Sequence, residues 1–289
     1  MGSKRKIASK IVSTILSRHP NLRYVYDLFG GGGAITFEFA QLLQIERVFY
    51  NDIDTGVVEL LKYVFSKKSF DPFYQWVTRE EFHKHKYDPT WFGGFCKTVW
   101  SFLNDHKGGY LYGKDKEKLK KILHDIIVNS IDRTKELSSI FGFKIIMPQK
   151  KSFRDRKIEI IKQARKKNEM LTHFLNLDHL NRIELIEDIR RISFVMPIEF
   201  RNKSYEKVSI DTPIDETILY IDPPYENTSK YQNDIDHDAL WDYIASSPYT
   251  IYLSSYKAPF PIVAEFEHWT GRGTGFETRL ERLFCNKKN

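Results

Sequence analysis

The 289-residue chain contains only two cysteines, Cys96 and Cys285, and neither belongs to a Cys/His group with structural-zinc spacing. A disulfide framework is excluded, no metal is expected, and a reducing cytoplasm is the natural setting. Long apolar runs are also missing. Nowhere do about 18 apolar residues follow one another, and the basic start from Met1 to Lys6 leads into no uninterrupted apolar stretch, so neither a membrane span nor a secretion signal is expected. The chain has no G-x-x-x-x-G-K-[ST] phosphate loop. Its four consecutive glycines, Gly30 to Gly33, fail the nicotinamide fingerprint, because counting from Gly30 or Gly31 the sixth position is Ile35 or Thr36.

Charge is distributed unevenly. The net charge is +7, yet Gly113 to Met170 alone holds 17 Lys+Arg against 8 Asp+Glu, leaving 28 against 30 elsewhere. The excess sits in the middle of the chain, with Trp76, Trp91, Trp100 and Tyr110 in or just before it. A solvated helical face or a polyanion-binding surface would both have this composition.

The flanks read differently from the middle. Residues 23–27 alternate and are β-rich, the glycines follow, and residues 34–43 have helical composition. A second strand over 47–50 ends at Asn51-Asp52-Ile53-Asp54, and a helical pattern runs over 57–65. This is the start of a βαβ pattern. Sheet character returns at 217–221, which is apolar on both faces as a central parallel strand should be, and again at 249–253 and 278–285. Between them, helices are expected over 157–171 and 177–192, the latter with Leu177, Leu180, Ile183, Leu185, Ile189 and Ile192 available for a buried stripe. The domain reading is a core of residues 1–66 and 186–289 interrupted by a mainly helical module over 67–185.

Two turns carry the chemistry. Glycines between a strand and a helix let a ligand approach the backbone, and Asp52, 19 residues after Gly33, lies where a carboxylate can accept from both ribose hydroxyls. A nucleoside ligand fits this loop, and so does a plain turn with a helix-capping aspartate. Asp222-Pro223-Pro224-Tyr225, after the buried strand, is more specific. The prolines fix the backbone, so the Pro223 carbonyl projects beside the Asp222 carboxylate as a second acceptor for an exocyclic amino group, and Tyr225 offers a flat face to a base.

Taken together, these segments resemble the Dam-like, α-class DNA adenine methyltransferases, particularly phage and prophage members, over nearly the whole chain. Met1 to Ile7 resembles the family's N-terminal motif, Asp27-Leu28-Phe29-Gly30-Gly31-Gly32-Gly33 its D/E-P-F-x-G-x-G loop with Leu28 in place of proline, and Asp222 to Tyr225 its catalytic motif. Ser101 to Asn104, Tyr110 to Gly113, Ser204 to Glu206, Leu253 to Tyr256 and Glu281 to Phe284 are similar to further family segments. The resemblance implies an α/β fold, a Rossmann-like core with a seven-stranded, mostly parallel sheet, interrupted by a target-recognition domain. It implies S-adenosylmethionine as cofactor, held by Lys4, Asp27, Phe29, Gly31, Gly33, Asp52 and Asp222, and double-stranded DNA as partner. Adenine would be flipped out, held by Asp222 and Pro223 and stacked on Tyr225, with residues 227–231 closing over it. Lys150, Lys151, Arg154, Arg156 and Lys157 are the candidates for phosphate contact. Cytosine-N4 or RNA adenine methylation, and a catalytically silent DNA-binding relative, are the alternatives. The oligomeric state is open, a monomer included.

Overall fold

The computed structural model describes residues 3–66, 68–102, 108–167, 169, 171, 174–224, 235–272 and 275–287. Seven strands form one sheet: β1 (Tyr24–Asp27), β2 (Arg47–Asn51), β3 (Ile198–Arg201), β4 (Thr217–Ile221), β5 (Thr250–Ser255), β6 (Ile262–Arg272) and β7 (Gly275–Cys285). Their spatial order is β3-β2-β1-β4-β5-β7-β6. The pairs from β3 to β5 are parallel, and β7 runs antiparallel to both β5 and β6. The fold is therefore α/β with a seven-stranded, mostly parallel sheet, as expected.

Register and side-chain alternation explain the two buried faces. Val25 and Tyr26 of β1 lie opposite Ile218 and Leu219 of β4. Val25, Val48, Ile218, Tyr220 and Tyr252 pack on one side with α1 (Ala8–Arg18) and α2 (Ala34–Phe39). Tyr26, Phe49, Leu219, Ile221, Ile251 and Leu253 pack on the other with Leu240 and Ile244. A one-residue slip in β4 would exchange the two faces, which its five buried residues would still tolerate but its neighbours would not.

α3 (Thr55–Phe65) starts at Asp54, whose carboxylate accepts from the Val57 amide at 3.2 Å. Among the described residues six α-helices follow before the sheet resumes at β3, the first five being α4 (Arg79–His85), α5 (Trp91–Val99), α6 (Lys114–Ile127), α7 (Thr134–Phe141) and α8 (Phe153–Arg165). Then comes α9 (Asp178–Arg190), and α10 (His237–Ser246) lies between β4 and β5. One apolar cluster extends from Leu60 and Val64 of α3 through Trp100, Ile122, Ile126 and Ile160 to Leu180, Ile183 and Ile186 of α9. α8 begins four residues before the expected start, because Ser152 accepts from the Arg154 amide and caps it there. In α9 the buried series is Leu180, Ile183, Ile186 and Ile189, while Leu185 is 42% exposed: the helical repeat turns it away.

Candidate active site

The sheet reverses its winding between β1 and β4. From β1 the chain builds outward through β2 and β3, and from β4 it builds the other way through β5. Loops leaving the carboxyl ends of these two adjacent strands diverge, which opens the crevice where α/β sheets take their ligands. The glycine loop leaves β1 and Asp222-Pro223-Pro224 leaves β4. Both sequence-defined turns therefore flank the switch point.

Three neighbouring parallel strands each deliver a carboxylate there. Asp27 ends β1 and lies in register between Tyr50 of β2 and Tyr220 of β4. Asp52 and Asp222 stand two residues beyond those tyrosines. Asp27 is buried. Its Oδ2 accepts from the Thr36 hydroxyl at 2.7 Å, and its Oδ1 has no hydrogen-bond partner among the described residues. Burial pushes its carboxyl up to about 7, with the Thr36 hydroxyl opposing and the charges of Asp222 and Asp52 adding to the rise. Such a group gains most from a cation or donor placed beside it.

The glycine loop is built around tyrosine and aspartate. Gly31 and Gly33 have φ of 47° and 75°, in the left-handed region that glycine enters at little cost. The Gly30 amide donates to the Asn51 carbonyl at 2.8 Å, and the Tyr50 hydroxyl donates to the Gly31 carbonyl at 2.7 Å. A Cβ on Gly30 would sit 2.2 Å from the Tyr50 ring, so that position is closed to any larger residue. Asp52 is held at both oxygens, by the Gly31 amide at 2.8 Å and the Asp54 amide at 2.8 Å. Each carboxylate oxygen has a further lone pair, so Asp52 can still accept from a ligand's hydroxyls. Phe29 is half-buried, its ring 5.4 Å from that of Tyr205.

Lys4 reaches this edge from a short 3-10 turn ahead of α1. Its ammonium lies 3.0 Å from Asp222 Oδ1 and 2.9 Å from Glu281 Oε1. Burial alone would lower its pKa, but the two carboxylates outweigh that effect and raise it. Lys4 is thus held cationic in a nearly closed environment, against a half-buried Asp222 and a buried Glu281. Pro223 is buried. Tyr225 and residues 227–231 lie outside the described residues, as do Leu103 and Asn104.

The five basic candidates near α8 are not equivalent. Lys150 and Lys151 are exposed. Arg154 pairs with Glu187 at 2.8 Å and Glu184 at 3.5 Å, and Lys157 donates to Asn181 at 2.8 Å. Arg156 is buried, and its guanidinium donates to the carbonyls of Ile127, Val128, Lys150 and Lys151 at 2.6–3.0 Å. It faces inward and fixes the backbone that presents the two exposed lysines. Replacing Arg156 by Met should cost about 2–4 kcal/mol, because buried carbonyls lose their donors. A chemical-denaturation midpoint unchanged from wild type would contradict this.

Residues 1–94 match the family model of D12 class N6 adenine-specific DNA methyltransferases. The methyltransferase match contains Lys4, the glycine loop, Asp27 and Asp52, and it ends inside α5; Asp222 and Glu281 lie outside it. The chain is also similar to the rRNA methyltransferase AviRa from Streptomyces viridochromogenes, at 11% identity and a TM-score of 0.35, over 98% of this chain and 84% of that one. No curated protein matches the chain.

Several residues join the site without having been singled out for it. Glu281 is the foremost. In sequence it stands only as part of a family-like segment, between Leu280 and Arg282 of β7. Thr36 and Asn51 were silent in sequence: Thr36 holds Asp27, and the Asn51 amide bridges the Leu28 and Lys203 carbonyls at 3.0 and 2.9 Å. Lys97 of α5 forms an ion pair with Asp54 and ties the helical module to the loop after β2. No helix among the described residues is long and apolar enough to cross a membrane.

Proposed function

We propose that the protein transfers a methyl group from S-adenosylmethionine to the exocyclic amino group of adenine in double-stranded DNA, acting on a base flipped out of the duplex. The observation that carries this reading is the meeting of the glycine loop and Asp222 at the switch point of the sheet, within a chain whose first third matches adenine-specific DNA methyltransferases. The residues fit the cofactor. Asp27 offers a buried, unpartnered oxygen, Gly31 and Gly33 leave the backbone open to close approach, and Asp52 has acceptor capacity for ribose hydroxyls.

In this reading Lys4, Asp27, Phe29, Gly31, Gly33, Asp52 and Asp222 hold the cofactor, which supplies an electrophilic methyl carbon. Asp222 and the Pro223 carbonyl accept from the two amino N–H groups and aim the nitrogen lone pair. Lys4 holds the Asp222 carboxylate in place. Tyr225 stacks on the base. Positioning and fixed charges account for the rate, with no covalent intermediate on the protein.

Residues 67–185 serve as the target-recognition module between the two parts of the core, in a cytoplasmic setting. Lys150 and Lys151 face the phosphates, while Arg154, Arg156 and Lys157 hold the surrounding structure. The Lys150→Glu/Lys151→Glu variant should weaken DNA binding and reduce the slope of log affinity against log salt by about two. An unchanged slope in fluorescence-anisotropy titrations would remove these lysines from the interface. The proposal as a whole is tested by methyl transfer to unmethylated duplex DNA, with methyladenine as the expected product.

A further inference from the structure

Glu281 is 1% exposed and sits in β7, where Arg282 pairs with Ser255 and Leu283 with Ser254 of β5. Leu283 points into the cluster that contains Ile7, Ala8 and Ile11, and Phe284 points into the opposite one. Glu281 shares the parity of Leu283 and so lies on the strand face that borders this apolar cluster. The strand instead places a carboxylate there, against Lys4. A buried ion pair gives little net stability compared with well-packed apolar side chains, so stability does not account for this choice.

Charge counting does. Lys4 and Asp222 alone would make a neutral pair. Counted over these three residues, the group with Glu281 holds two carboxylates and one ammonium, a net charge of −1, beside the carboxylates of Asp27 and Asp52. We infer that Glu281 is a positioning residue that restores this negative charge, so that the site prefers the cationic methyl donor to its neutral demethylated product. The inference rests on the cofactor reading above. Methyl transfer breaks the S–CH3 bond with its electron pair left on sulfur, forms the N–CH3 bond and releases an amino proton to solvent. The sulfonium becomes a neutral thioether, and the attraction to the −1 group is lost at the moment when product must leave.

The test is calorimetric titration of the full-length protein with S-adenosylmethionine and with S-adenosylhomocysteine. Glu281→Gln makes the group neutral and should weaken binding of the methyl donor on the order of tenfold, while the product changes by less than about threefold. Lys4→Met/Glu281→Met keeps the net charge at −1, so its donor-to-product affinity ratio should stay within about threefold of wild type; Lys4→Met alone, at −2, should raise the ratio. A structural role would not produce this ordering. Equal losses for both ligands in Glu281→Gln, or a double variant with the same ratio as that variant, would overturn the inference. If Glu281→Gln does not fold, the comparison of Lys4→Met with the double variant decides, and equal ratios overturn it. A wild type that binds neither ligand removes the cofactor reading itself, whereas a wild type that binds both, with ratios indifferent to charge, removes this inference alone.

Discussion

Asp222→Ala should lower single-turnover methyl transfer by about 10³-fold or more while leaving the melting temperature within a few degrees of wild type. Both halves of the expectation come from the same geometry. The carboxylate is the acceptor that holds the amino group to be methylated, so its loss removes an interaction that no neighbour replaces. Structurally the cost is small, because Lys4 remains paired with Glu281 at 2.9 Å and is not left as an isolated buried charge. Asp222 is itself only half-buried, with a side-chain exposure of 25%, so truncation opens no large cavity. Turnover within tenfold of wild type would contradict the assigned role, and a collapsed melting transition would show that Asp222 is chiefly structural.

Gly33→Val should damage the cofactor loop through both its backbone and its packing. Gly33 caps α2 with φ of 75°, and an added Cβ would lie 2.3 Å from the tip of the Phe37 ring. That ring is 4% exposed and packs against Phe65 and Phe194 at centroid distances of 5.3 and 5.6 Å, so it has nowhere to go. Backbone strain and overpacking each cost about 1–3 kcal/mol, giving a loss of about 2–6 kcal/mol and a fall in melting temperature on the order of 10 °C. The start of α2 would shift with the loop, and affinity for S-adenosylmethionine should fall at least about tenfold. Gly31→Ala is the informative control. Its φ of 47° imposes strain, but the nearest atom to the added Cβ is 3.9 Å away, so about 1 kcal/mol is expected. Equal stability losses for the two variants would contradict the packing argument.

Legibility in the sequence followed burial. β4 was readable to the residue, because a threonine and four apolar residues ending at Asp222-Pro223 form a strand buried on both faces. The glycine loop with Asp52 was readable because turn chemistry is local. β6 went unread. It lies at the edge of the sheet, and its Glu265 and Glu267 interrupt the apolar pattern that would have announced it. The short β3, with only half-buried and exposed residues, gave no stronger signal. α1 also went unread, although Ala8, Ile11, Val12 and Ile15 form its buried stripe, because only Met1 to Ile7 ahead of it matched a motif.

The site divides in the same way. Asp27, Asp52 and Asp222 declare themselves by standing at strand ends. Lys4, separated from Asp222 and Glu281 by more than 200 residues, meets them only through the topology. Arg156 looked like its basic neighbours in sequence and differs from them because carbonyls of Ile127 and Val128 come to it from another helix end. No local pattern distinguishes a lysine or arginine that faces solvent from one that ties a loop together.

The central claim is tested most directly by incubating the protein with labelled S-adenosylmethionine and unmethylated genomic DNA, digesting the DNA and identifying the labelled nucleoside by mass spectrometry. The account predicts methyladenine, with label incorporation abolished in Asp222→Ala. Methylcytosine would contradict the assigned base, and an absence of transfer from a protein that binds both cofactor and DNA would contradict the assigned reaction.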